Sequence, residues 1–373
     1  MTQGLRLSAS ERDHLYECRV RPDLFAGVAA STAPVAMFVA GQPGAGVPVA
    51  AALLRRELRK TAGPAIHVSP SRLAAYHPAN RASAGFEIPG IQPDILHWLG
   101  RAVDDTRQQR VHAVIEDELE DAQSMPRMAF ALRKDAYTVQ AVFVSTLPEL
   151  SRLRLAALYD RRRSCGLPTP FVSALAHDAA LANVRLVLGQ LEDRRAVDGL
   201  RIIDAQCAQF YENRLTAGGW ARTARARAAL DMERVRSRSP KDLVQTAMRW
   251  ETLVRRLVQD AAVPRDVASE VLRWRDQAVA QCEALPAAAQ MLQWAREAAA
   301  FRTMERNEFE REFPHHARAV QSLGLAMRES EKYQEYEAMG LVLHARENIA
   351  QRIERGDMAR IAARERQTDP PSH

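Results

Sequence analysis

One short stretch constrains the chain more than any other. Residues 34–48 read PVAMFVAGQPGAGVP. The apolar run Val35, Ala36, Met37, Phe38, Val39 leads directly into Gly41-Gln42-Pro43-Gly44-Ala45-Gly46. A strand that runs into a glycine loop and then a helix is the context of a phosphate-binding loop. A working loop continues with Lys and then Ser or Thr, but here Val47 and Pro48 stand in those places. The ammonium that reaches the β- and γ-phosphates is missing, and so is the hydroxyl that holds Mg²⁺. A tight turn without a ligand is the plain alternative for this loop.

The surrounding pattern supports an α/β domain. Helical stretches (Leu53–Arg59, Pro93–Arg107, Pro126–Lys134, His177–Leu191) alternate with short apolar strands (Ala65–Val68, Val111–Ile115, Thr138–Val144, Leu200–Ile203). Such alternation predicts a parallel sheet covered by helices on both faces. Met37–Ala40 and Val111–Ile115 are expected to be neighbouring strands, with the glycine loop at the carboxyl edge of the sheet.

The texture changes after Gly218-Gly219. No glycine occurs from Trp220 to Leu323, and apolar residues recur at helical spacing. Ser239-Pro240 and Val263-Pro264-Arg265-Asp266 have the form of helix starts. The expected organisation is a P-loop domain over 1–217, an all-helical module over 218–363 and a tail over 364–373. Trp250, Trp274 and Trp294 read as core anchors of that module. His315-His316 has no partner at ligand spacing in sequence and reads as surface.

Composition narrows the function classes. The net charge is +6, from 52 basic and 46 acidic side chains, an excess too small for a nucleic-acid interface without a basic stripe. No apolar run approaches the roughly 18 residues that span a bilayer. The four scattered cysteines lack metal-ligand spacing and read as reduced thiols, so a cytoplasmic location is expected.

Residues 7–213 resemble the zeta toxin family of P-loop kinases. The resemblance is carried by Gly41–Gly46, Leu73, Tyr76-His77-Pro78, Val114-Ile115-Glu116, Tyr137 and His177-Asp178, in the family's order and spacing. It implies phosphorylation of UDP-N-acetylglucosamine with ATP and Mg²⁺, and an antitoxin as partner. It also implies site roles. Gly41, Gln42, Pro43, Gly44, Ala45, Gly46, Val47 and Pro48 fall on the nucleotide loop. Ser71 falls on the substrate-activating Asp, and Glu116 matches the acid of the third-strand motif. His77 lies at the substrate side, and Glu120 replaces an arginine there. Arg161 matches the first of two phosphate-clamping arginines, while the second falls on Pro170. His177-Asp178 is also read as a helix cap.

With the lysine, the hydroxyl, the carboxylate base and an arginine missing together, the expected protein is a catalytically degenerate kinase with residual binding of nucleotide or nucleotide sugar. Two other readings stay open. One is an active kinase in which an arginine or Lys134 substitutes for the lysine. The other is a helical interaction module on an inert scaffold.

Overall fold

The computed structural model describes residues 5–82, 90–119, 121–167, 170–358 and 360. The chain divides into two compact units, residues 1–236 with 256–271, and residues 237–255 with 272–373.

The first unit opens with α1 (Ala9–Leu15), a π-helical turn (Tyr16–Val20) and α2 (Arg21–Leu24). An alternating series follows: β1 (Val35–Ala40), α3 (Val47–Thr61), β2 (Ala65–Val68), α4 (Pro70–Ala74), α5 (Pro78–Ala82), α6 (Gln92–Gln109), β3 (His112–Asp117), α7 (Ser124–Lys134), β4 (Thr138–Val144), α8 (Pro148–Ser164), α9 (Ala174–Asp193) and β5 (Gly199–Ile203). Two more strands, β6 (Gln209–Thr216) and β7 (Gly219–Trp220), and α10 (Ala226–Arg234) complete it.

The sheet order is β2-β3-β1-β4-β5-β6-β7. The first five strands are parallel, and β1 lies beside β3 as the sequence predicts. Alternate residues of β1 serve opposite faces. Ala36, Phe38 and Ala40 join one buried cluster with Trp98 and Ile115, whereas Met37 and Val39 join another with Leu54 and Leu58 of α3. Burial on both faces is why these strands read as continuous apolar runs.

The far edge differs from expectation. β5, β6 and β7 pair antiparallel, so the sheet is mixed and does not end at β5. β6 (QFYENRLT) is mostly exposed or half-buried and polar, which left no apolar signal to read. Gly218-Gly219 closes the hairpin, with Gly219 at φ +119°.

The second unit is helical. It draws on α11 (Pro240–Gln259), α12 (Arg265–Glu283), α13 (Pro286–Thr303), α14 (Arg306–Glu312), a 3₁₀ turn (Pro314–His316), α15 (Ala317–Ser330) and α16 (Glu335–Glu354). Both proline-marked helix starts fall where the sequence puts them. Trp250 and Trp274 are buried with ring centroids 5.7 Å apart, and Trp294 is half-buried. Among the described residues, no helix is long and apolar enough to cross a membrane.

Candidate phosphate-loop site

The carboxyl ends of β1, β2, β3 and β4 converge on one edge of the sheet. The chain leaves β1 through Gly41–Gly46 and enters α3 at Val47. Gly44 and Gly46 take left-handed conformations, φ +79° and +106°. At Gly44 the requirement is also steric: a Cβ there would lie 2.4 Å from the Ser151 carbonyl oxygen.

The loop is tied from beneath. Gln42 is buried and its Nε2 donates to the Thr146 carbonyl at 2.5 Å. Thr146 Oγ1 donates to the Ala45 carbonyl at 3.0 Å. The Ala45 N–H bonds the Gln42 carbonyl at 2.9 Å. Among the described residues, no hydrogen bond uses the N–H of Gly44, Gly46 or Val47. Those three donors lie at the positive end of α3.

The positions that carry charge in a working loop are filled differently. A Cβ on Gly41 would meet Val47 Cγ2 at 3.2 Å, so the Val47 side chain turns under the loop, where it packs against the α3-side core. Pro48 is exposed in the first turn of α3, where its missing N–H costs the helix nothing. The basic group at the loop is instead Arg154 of α8. Its Nη1 donates to the carbonyls of Gly44 at 3.3 Å and Ala45 at 3.1 Å.

The other predicted residues fall at different depths. Glu116, next to last in β3, is on the α3 side of the sheet, level with Val39, and is buried. Its Oε1 lies 2.6 Å from Nε2 of His67 on β2. Ser71 is exposed at the start of α4, with Oγ 3.3 Å from Ser69 Oγ. The loop, Glu116 and Ser71 therefore share one edge.

His77 does not face that edge in the same way. Its ring is buried, Nδ1 accepts the Ala79 N–H at 3.3 Å, and Nε2 faces Asp94 Oδ2 at 3.4 Å. Its side chain thereby ties α5 to α6 beside Trp98. Arg161 is exposed in the last turn of α8, and Pro170 is exposed beyond it. Lys134 ends α7, just before β4 begins, and so lies at the edge opposite the loop. Glu120 lies outside the described residues, as does the tail 364–373.

His177 is not a helix cap. Ser173 caps α9, accepting the Ala176 N–H, and His177 sits in the next turn, fully buried. Its Nε2 lies 2.7 Å from Ser151 Oγ and its Nδ1 2.9 Å from Asp178 Oδ1, which Arg152 also holds at 2.6 Å. Burial pushes the His177 pKa down, opposed by the Asp178 hydrogen bond. Asp178 resists its own burial and stays below the usual carboxylate range through bonds from His177 and Arg152. A serine–histidine–aspartate row has the atoms of a nucleophilic triad, but Ser151 is fully buried and its Oγ also contacts the Pro148 carbonyl at 2.9 Å. The row braces α8, whose Ser151 carbonyl underlies Gly44.

Arg154, Thr146, Ser151 and His67 are the site neighbours that sequence reasoning did not single out. Arg154 left one usable trace: it precedes Arg161 by seven residues, two helical turns, and so lies on the same face of α8.

A glycine loop with this geometry, at the carboxyl edge of a parallel sheet and opening a helix, defines the P-loop class of α/β proteins. A sequence model of the family described as "Zeta toxin" matches residues 24–216, just over half of the chain, and the protein belongs to that family. The fold agrees with a solved chain from the PezAT chromosomal toxin–antitoxin system of the human pathogen Streptococcus pneumoniae. That chain is 19% identical at a TM-score of 0.54, with 66% of this chain and 98% of that chain covered. A chain from the structure of AvrRxo1-ORF1:AvrRxo1-ORF2 with sulphate ions is 15% identical at a TM-score of 0.42, over 72% of this chain and 85% of that one. No curated protein sequence matches the chain.

Proposed function

We propose that this zeta toxin family member is a catalytically degenerate kinase. It keeps the phosphate cradle and lacks the groups that drive transfer. The observation that carries this reading is the pair Val47 and Pro48, with the Val47 side chain packed under the loop. Transfer of a phosphoryl group depends almost wholly on positioning and charge stabilisation. Loss of one preorganised donor costs about 10²–10³ in rate, and here several are missing together. The loop's own Mg²⁺ ligand is missing as well, because Pro48 offers no hydroxyl.

What remains suits weak binding of a phosphate-bearing ligand, either a nucleotide or UDP-N-acetylglucosamine, by the free N–H groups of the loop. Glu116, engaged by His67, is the acid available to a sugar hydroxyl. A protein antitoxin is the partner proposed by family membership. Calorimetric titration of the chain with ATP·Mg²⁺ and with UDP-N-acetylglucosamine tests this reading. A dissociation constant weaker than about 1 mM for ATP·Mg²⁺ agrees with it, and micromolar affinity contradicts it.

Arg154 favours a second reading, in which its guanidinium takes the place of the missing ammonium. Its hydrogen bonds to two loop carbonyls count against this, since they spend the charge on the loop itself.

A further inference from the structure

His315-His316 reads as surface in the sequence; His315 is exposed as expected, and His316 is not. His316 is buried, at 3% exposure, because the Pro314–His316 turn folds back over α13. Glu297 of α13 is buried to the same degree and sits between the two rings. Its Oε1 lies 3.2 Å from His315 Nε2 and its Oε2 lies 2.8 Å from His316 Nε2. The two ring centroids are 4.4 Å apart.

We propose that Glu297, His315 and His316 bind one divalent transition-metal ion, of the zinc type. Their ligand atoms all fall within 4.8 Å of one another, so small side-chain rotations bring them onto one centre. Two imidazoles and one carboxylate are the nitrogen and oxygen donors that borderline ions such as Zn²⁺ take. Three protein ligands leave a fourth position for water, and the His315 side chain, 55% exposed, gives that position its access to solvent.

The surroundings match a ligand site better than a simple buried ion pair. Gln293 Nε2 donates to Glu297 Oε1 at 2.9 Å, an outer contact that fixes the carboxylate. Phe309 stacks against His316 at 6.0 Å and fixes its ring.

The test is zinc titration of the full chain after chelator treatment, followed by calorimetry and by visible absorption with cobalt(II) in place of zinc. The expected result is one ion per chain with affinity in about the micromolar range or tighter, and a melting temperature that rises with zinc. His315→Gln removes an exposed ring and leaves the packing intact. It is expected to weaken zinc binding more than about tenfold and to abolish the cobalt absorption, as is Glu297→Gln. Absence of stoichiometric binding by the wild-type chain would overturn the proposal. So would unchanged zinc affinity in His315→Gln, which would move the ion to another site.

Discussion

Arg154 and Ala45 are joined by a 3.1 Å hydrogen bond in which the guanidinium of α8 donates to a carbonyl of the phosphate loop. The same nitrogen reaches Gly44 at 3.3 Å. A charged donor shared between two carbonyls braces the loop. Arg154→Ala is expected to lower stability by about 1.5–3 kcal/mol, the usual worth of a hydrogen bond to a charged group. Chemical denaturation checks this, and nucleotide titration of the same variant checks the role. Loss of all residual ATP binding with unchanged stability would make Arg154 a phosphate ligand instead.

Gly44 and Gly46 bend the loop for different reasons, so their alanine variants should differ. Gly44→Ala places a Cβ 2.4 Å from the Ser151 carbonyl at φ +79°, and backbone must shift to accept it. Gly46→Ala meets only the Arg154 guanidinium at 3.9 Å and carries backbone strain alone, at φ +106°. The strain costs about 1–2 kcal/mol in each. Gly44→Ala should therefore be the more destabilising by denaturant midpoint. Equal losses would place the cost in the backbone and not in the contact with α8.

Buried histidines, among them His112 and His177, shape the acid side of the stability profile. His112 accepts the Val35 N–H on Nδ1 at 3.0 Å, and burial depresses its pKa against a bond to the Ala62 backbone. His177 is depressed likewise, by burial first. A depressed histidine stabilises the neutral fold above the unfolded pKa, near 6.5, and that contribution is lost as pH falls through the folded pKa. Stability is expected to fall as pH drops below the unfolded histidine pKa of about 6.5, ahead of carboxylate titration. His112→Asn should flatten part of that slope, measured as unfolding free energy against pH. A wild-type profile flat over the window would contradict the account.

Restoring Val47→Lys and Pro48→Ser returns an ammonium and a hydroxyl, yet Ser71 still cannot act as a carboxylate base. The double variant is expected to bind ATP·Mg²⁺ more tightly than wild type by calorimetry. It should still transfer no phosphate until Ser71→Asp and Glu120→Arg are added. Val47 also packs into the α3-side core, so the double variant should be less stable. Full activity in the double variant would mean that Ser71 is not at the base position.

Much of this site was legible in the sequence for a physical reason. Strands buried on both faces, such as Val35–Ala40, announce themselves by apolar runs, and a loop that needs positive φ announces itself by glycine. Hence the parallel strands and the Gly41–Gly46 loop could be read, whereas Glu116 and Ser71 were singled out only through the family resemblance. β6 could not be read, because an exposed polar edge strand lacks a hydrophobic period. The contacts that give Arg154, His67 and Glu297 their roles join residues far apart in the chain. Glu297 and His316 are 19 residues apart and meet only because the Pro314 turn folds back. The same holds for His177, whose partner Ser151 lies 26 residues away on another helix.

Transfer of labelled phosphate from ATP to UDP-N-acetylglucosamine by the unmodified chain, with Mg²⁺ present, tests the central claim most directly. The account predicts no transfer above the protein-free background, because the loop bears Val47 and Pro48 and its nearby arginine is bound to its own carbonyls. Robust turnover that Arg154→Ala abolishes would contradict it, and would make this chain an active kinase with an arginine in the lysine's role.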